Sequence, residues 1–479
     1  MKCFFTLLAL VFCVSLNAQI TWSMGMNIST NTYSNMHPRM TLDRSGNPLV
    51  IWGRMSDASV FFSRWSGTMF TTPVKLNGTL SVAAASWMGA DIASHGDTIF
   101  VVMKEIPEAD TARHIYIVKS FDGGITFSSP LQVDHIADSI SRFPTITTDA
   151  TGNPIVAFMK LDPFFGDIRW VVAKSTDYGN TFSTDVKASG WGNSAEVCDC
   201  CPGAIVSSGN TCSMLYRDNN TNIRDTWAGI STNNATSFAS GFAVDNNNWM
   251  LMSCPASGPD GVIIGDTLYS TFMNGMGGNY RTYLSKSSIS TGAVNTVSNL
   301  TGPITGLGQQ NYPRIATDGT AMAIVWRQVV STVVQLPILF TNDIANGFTA
   351  AYDTVDVINI TNTDVAMSNG NIFVVWQDDA SGTVKYRSGT YTQVNTGIKE
   401  ITETNFTVYP NPVSTTITLQ SNIDLQNAEI KIFNLLGELV LTKSNIRNAT
   451  IDVETLTNGI YFLQVRSNNN FLTQKFIKQ

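Results

Sequence analysis

Apolar residues along this chain come in short runs separated by polar turn residues. Leu49-Val50-Ile51-Trp52, Ile155-Val156-Ala157-Phe158 and Ala323-Ile324-Val325-Trp326 are three such runs. The first two follow Gly-Asn-Pro, at Gly46-Asn47-Pro48 and Gly152-Asn153-Pro154. Upstream of each run lies a second apolar segment that starts at a proline and ends at an aspartate: Pro38 to Asp43, Pro144 to Asp149 and Pro313 to Asp318. Each copy reads as strand, tight turn, strand. Helical periodicity is nearly absent, so the chain is expected to be all-β.

The same register can be followed between these copies. With the proline as anchor, the aligned positions are Pro38, Gly89, Pro144, Pro202, Pro255, Pro313 and Thr363. The interval stays near roughly fifty residues, the size of a four-stranded propeller blade. The fold expected is therefore a β-propeller between residues 37 and 393. It has seven blades, or six if the unit at Gly89 or at Thr363 is discounted. Ile20 to Met26 is a strand without a partner of its own. Pairing it into the last, short blade would close the ring and remove two open sheet edges.

A third repeat is shorter. Ser120, Asp122, Gly124, Thr126 and Phe127 recur as Ser175, Asp177, Gly179, Thr181 and Phe182, and in decayed form from Ser231 to Phe238. An aspartate that accepts backbone N–H bonds, followed by glycine, closes a hairpin corner. The pattern Ser-x-Asp-x-Gly-x-Thr-Phe resembles the Asp-box (BNR repeat) of sialidase-type propellers. In that family the box is structural and lies away from the catalytic centre.

From Ile401 the character changes. Tyr409-Pro410-Asn411-Pro412, Leu456 with Gly459-Ile460-Tyr461, and the closing Lys475-Phe476 lie among about seven short strands, the pattern of a small β-sandwich. These motifs resemble the type A sorting domain of the type IX secretion system of Bacteroidetes, over residues 405–479. The resemblance implies the secretion machinery as a partner and a route through the periplasm to the outer surface or medium. The domain organisation expected is a signal peptide at 1–18, a sialidase-like propeller at 19–395, a linker at 396–404 and the sorting domain at 405–479.

The N-terminus agrees with export. Lys2 precedes an apolar run from Phe4 to Leu16, and Leu16-Asn17-Ala18 reads as a cleavage site that would leave Gln19 first. That run is too short to span a membrane. Only 14% of residues are charged and 36 are glycine, which suits many short strands and tight turns. The net charge of -7 argues against nucleic acid as a partner. No cofactor is expected.

Candidate chemistry gathers in units four and five. Cys198, Cys200 and Cys201 precede Pro202, and Cys254 precedes Pro255. Register brings these Cys-Pro steps side by side, at the position held elsewhere by His37, Phe143 and Tyr312. Export makes disulfides among the four the expected state, with three connectivities open. The alternative, a metal site on the same four, is disfavoured by the redox setting and by a spacing that is not a standard zinc pattern. Cys212 reads as a buried free thiol.

Arg217-Asp218 and Arg224-Asp225 follow closely. They are either an anion site or a structural ion-pair network. Together with the two Cys-Pro segments they resemble a group of exported sialidase-like bacterial proteins. Arg217, Asp218, Arg224, Asp225, His37 and Tyr312 are the ligand-binding candidates, at one mouth of the central channel.

A sialidase would need three arginines on the substrate carboxylate, a Tyr–Glu nucleophile pair and an aspartate acid/base. Arg39, Arg142 and Arg314 do not stand in that motif, and no Tyr–Glu pair is recognisable. The function expected is binding of a glycan or small anion. A sialidase-like hydrolase and a purely structural surface protein are the alternatives.

Overall fold

The computed structural model describes residues 20–192, 196–393, 407–420, 428–435, 437–444, 449–467 and 470–479. The signal-peptide reading (1–18) and the linker reading (396–404) fall outside the described residues. The chain divides into two units, Met1–Val394 and Asn395–Gln479.

In the first unit three of the sheets begin as a hairpin closed by an aspartate. Asp43 Oδ1 accepts from the Ser45 and Asn47 amides at 2.8 Å each. Asp149 does the same for Thr151 and Asn153, and Asp318 for Thr320 and Ala321. The carboxylate satisfies amides that the turn removes from the ladder. The strand that follows each turn is apolar and buried on both faces. Its tryptophans lie in the blade core, with Trp52, Trp326 and Trp376 each at most 1% exposed.

The strands then meander outwards in sequence order. Asn35–Leu42, Pro48–Arg54, Ser59–Arg64 and Val74–Lys75 form one sheet of four, and five more sheets follow the same plan. The last consists of Ile360–Ser368, Asn371–Asp378 and Thr383–Thr390, completed by Thr21–Trp22 and Met26–Asn27. Thr21 pairs with Thr390 and Met26 with Tyr386. The N-terminal segment thus supplies the outer strand of the final sheet.

First strands pack on first strands around a closed ring. Asn35–Leu42 touches Asp91–His95, and the series continues through Ile140–Thr148, Ala204–Ser208, Asp260–Ile264, Leu307–Thr317 and Ile360–Ser368, which returns to Asn35–Leu42. The architecture is a propeller-like ring of mainly four-stranded sheets. The start of each first strand opens on one mouth of the central channel.

The Ser-x-Asp-x-Gly-x-Thr-Phe segments sit at the opposite end. They follow the third strand, and antiparallel alternation puts that end away from the start of the first. Asp122 Oδ1 accepts from the Ile125 and Thr126 amides at 3.0 Å, and Oδ2 accepts from Thr126 Oγ1 at 2.6 Å. Asp177 repeats the pattern with Thr181, whose bonds hold its carboxyl down at about 2. The third copy keeps the geometry with Asn233, which accepts from the Ser237 amide at 3.0 Å.

The second unit holds two sheets. One contains Thr407–Tyr409, Thr416–Gln420 and Thr450–Asp452; the other contains Leu439–Ser444, Glu429–Asn434, Gly459–Ser467 and Asn470–Lys478. They share a core that includes Ile417, Ile430, Val453, Leu463 and Phe476. Asn411 Oδ1 accepts from the Ile477 amide at 2.8 Å, tying the Pro-Asn-Pro corner to the final strand.

Candidate functional site

At the channel mouth the first strands are kinked just before their anchor prolines. The register of Asn35–Leu42 shifts between Met36 and Arg39, that of Ile140–Thr148 between Arg142 and Thr145, and that of Leu307–Thr317 between Asn311 and Arg314. The residue before the proline is left-handed in all three, with φ of 52° at His37, 51° at Phe143 and 53° at Tyr312. Non-glycine residues seldom adopt this conformation, and bulges of this kind re-aim side chains at functional rims. The second sheet makes room for the turned-in imidazole. A Cβ at Gly89 would stand 2.5 Å from the His37 ring, so the anchor position there is glycine.

These side chains line a cavity of about 60 Å³ together with Arg39, Trp87, Asp91, Thr145, Arg314 and Asn362. The volume suits a few waters or one small polar group. Arg314 is held on both sides, by Asp364 at 3.0 Å and Asp260 at 3.4 Å. Burial works against its charge, but the two carboxylates outweigh it and raise its pKa. Asp91 accepts from Thr145 Oγ1 at 2.8 Å and from the Ile146 amide at 3.1 Å. Asp260 and Asp364 likewise accept the amides of Ile315 and Met40, stitching one sheet to another.

Arg39 differs from Arg314. Its Nη1 donates to the Pro38 carbonyl at 2.8 Å, and among the described residues it has no carboxylate within ion-pair distance. Burial and the neighbouring Arg314 lower its pKa to about 10. His37 Nδ1 is buried without a partner, and burial followed by the two arginines pushes the imidazole well below its usual range, so it is neutral. An under-compensated guanidinium, a neutral imidazole and a half-exposed Trp87 therefore face one opening. Together they can receive the oxygens of a carboxylate or sulfate and cover an attached ring.

The Arg-Asp segments behave otherwise. Arg217 is 1% exposed and turned into the sheet junction, where it donates to the carbonyls of Ser257, Arg224 and Met273 and lies over the Trp249 ring. The sequence expectation set Arg217 on the ligand rim; the structure instead points its three nitrogens at backbone carbonyls, that of Arg224 in its own sheet's connection and those of Ser257 and Met273 beside and in the next sheet. Arg224 is also buried, with Nε and Nη1 unpartnered. Asp225 accepts the Asn248 and Trp249 amides. Asp218 Oδ1 has no partner. Asp218, Asp225 and Asp245 line a separate cavity of about 140 Å³. Burial raises the carboxyls of Asp218 to about 7 and Asp225 to about 6. The candidates thus fall into two groups, with His37 and Tyr312 in the channel mouth and the Arg-Asp segments beside it.

The cysteines lie between them. Cys200 and Cys254 form a disulfide with Cα atoms 6.3 Å apart. Cys198 and Cys201 are buried free thiols whose Sγ atoms stand 2.9 Å apart, and Cys198 Sγ is 3.5 Å from Cys200 Sγ. All four sulfurs lie within 4.8 Å of one another, so the donor set would also suit a soft metal ion. Cys212 is free and buried in its strand.

Arg39 and Arg314 were missed as site residues because they do not stand in a sialidase motif. The signal that could have found them is register. Both follow an anchor proline, a position that faces the channel and carries Thr145 and Gly203 in other units.

Residues 407–479 match the family described as the secretion system C-terminal sorting domain. A type IX sorting tail implies export to the cell surface or medium and contact with that secretion machinery. Among the described residues, no helix is long and apolar enough to cross a membrane. No curated protein matches the chain in sequence. Solved structures similar to it include a protein of unknown function from Dyadobacter fermentans (11% identity, TM-score 0.46, covering 66% of this chain and 97% of that one). The α-L-arabinofuranosidase Arb93A from Fusarium graminearum gives 11% identity and TM-score 0.46 over 77% of this chain and 98% of its own. Trypanosoma rangeli sialidase gives 11% identity and TM-score 0.42 over 93% and 84%.

Proposed function

We propose that the chain is an exported seven-bladed, Asp-box propeller of the sialidase-like kind, carried out by a C-terminal sandwich of the Bacteroidetes type. Its channel mouth binds the acidic group of a glycan or another small anion. The observation that carries the reading is Arg39. Its guanidinium is partly buried, repelled by Arg314 and without a carboxylate of its own, while His37 and Tyr312 are turned towards the same opening by left-handed backbone. An anion placed there would supply the missing countercharge, and the cavity admits a carboxylate or sulfate more readily than a whole sugar ring. Trp87, 48% exposed above it, would carry the ring.

Binding is favoured over hydrolysis by what lines the cavity. Among the described residues the lining holds one carboxylate, Asp91, and no glutamate beside Tyr312. The pair of groups that a sialidase needs at opposite sides of the scissile bond is therefore not assembled.

Calorimetry of the mature protein with glucuronate, inorganic sulfate and neutral monosaccharides tests the reading. Saturable heat with the acids, lost in Arg39→Ala, supports it. Binding that is unchanged in Arg39→Ala, or confined to neutral sugars, would sink it. Turnover of a fluorogenic sialoside would replace it with the hydrolase.

A further inference from the structure

The four sulfurs beside the channel differ sharply in access. Cys254 is exposed, Cys200 is partly exposed, and Cys198 and Cys201 are each 1% exposed. They also stand in contact order: Cys254 is bonded to Cys200, Cys200 lies 3.5 Å from Cys198, and Cys198 lies 2.9 Å from Cys201. A line of sulfurs from solvent to core, with a disulfide at the outer end and a dithiol at the inner end, is the arrangement that thiol–disulfide exchange requires.

We propose that this cluster is a redox site in which the buried Cys198/Cys201 dithiol is passed outwards to Cys200 and Cys254 and delivered to a disulfide in the surroundings. In the first step the Cys198 thiolate attacks Cys200 Sγ. The Cys198–Cys200 bond forms, the Cys200–Cys254 bond breaks, and Cys254 leaves as a thiolate that takes up the proton lost by Cys198. Cys201 then attacks Cys198. The Cys198–Cys201 bond forms, Cys200 leaves, and the proton from Cys201 goes to it. No electrons have entered or left; the dithiol has moved from the core to the surface. Cys254 can now attack an external disulfide, releasing one thiol, and Cys200 resolves the mixed disulfide, releasing the second. The site thus donates two electrons and ends with two bridges.

The surroundings support the first step. Cys201 as hydrogen-bond donor, then Arg224 and Arg217, pull the Cys198 thiol below its ordinary pKa, whereas burial pushes that of Cys201 up. The inner attacking sulfur is therefore the more readily ionised of the two. Arg224, with two buried N–H groups unpartnered, is the nearby cation that such a thiolate would use. Cys254 sits in an exposed segment with Met250 and Met252, open to a partner disulfide.

The test is native-state alkylation with iodoacetamide at pH 8, followed by peptide mapping without reduction. In the wild type, label should accumulate on Cys254 while a Cys198–Cys201 bridge appears. In Cys198→Ser, label on Cys254 should fall at least tenfold. In Cys201→Ser, exchange should stop at a Cys198–Cys200 bridge with Cys254 labelled. Incubating the wild type with oxidised glutathione should release two thiols per chain and leave buried Cys212 unlabelled. If Cys254 is never labelled in the wild type, or is labelled equally in Cys198→Ser, the relay does not exist. Stoichiometric zinc or copper with no Cys200–Cys254 bridge would overturn it in favour of a metal centre. A wild type already holding both bridges that glutathione cannot exchange would make the cluster a fixed brace.

Discussion

Two arginines separate the chemistry of the mouth from its scaffolding. Arg39→Ala should weaken acid binding by at least tenfold, about 1.4 kcal/mol, and leave the melting temperature nearly unchanged. Arg217→Ala should do the reverse, because three buried carbonyls lose their donor. A loss of roughly 3 kcal/mol of stability is expected from such orphaned groups, measurable by urea unfolding. Asp218 gives a pH signature. Burial raises its carboxyl to about 7, above the unfolded value near about 4, so the folded state holds an extra proton between those values. Stability should therefore fall as pH rises from 5 to 8, and Asp218→Asn should remove part of that fall and melt a few degrees higher than wild type at pH 8. A variant that melts lower at pH 8 would show the carboxylate to be paired. What the sequence could not reveal at this scale is which arginine turns inward. The partners of Arg217 are the carbonyl of residue 224, across the turn of its own hairpin, and those of residues 257 and 273, 40 and 56 positions away in the next unit, and no local pattern encodes the latter two.

At the scale of strands the repeat was largely readable. The anchor proline, the aspartate turn and the apolar run behind it map onto the first two strands of the sheets. The proline-anchored bulge was not readable, because alternation cannot distinguish a left-handed residue from an extended one; only the recurrence of His37, Phe143 and Tyr312 at one register position hints at it. The closing strand was visible as an orphan and is found on Thr383–Thr390. Its fit depends on a bare backbone. A Cβ at Gly389 would lie 2.5 Å from Ile20 and 3.0 Å from Trp22. Gly389→Val should lift that strand and re-expose Ile20, which is 3% exposed in place. The cost expected is about 1.5–3 kcal/mol, with faster amide exchange confined to residues 383–390 and their partners.

For the whole molecule, the first unit has its own cores and the second has a separate one. Removing residues 395–479 should leave a folded ring that fails to leave the periplasm, seen by fractionation and native melting. Surface delivery of the truncated protein would show that the tail is not the address. The closing strand also sets an order of events. Its contact with the final sheet, Ser23 to Arg387, spans 364 residues, so the leading segment of the chain must wait for nearly all the rest before it finds its place. Early sheets can assemble as they emerge, but the seam cannot. Every chain in transit therefore passes through an open-ended arc with one unsatisfied edge, the state most exposed to strand exchange with a neighbouring copy and to chaperone capture. A circular permutant that carries residues 20–28 behind residue 393 would shorten that wait to a local step, and ring closure would become one of the fast events of folding instead of the last.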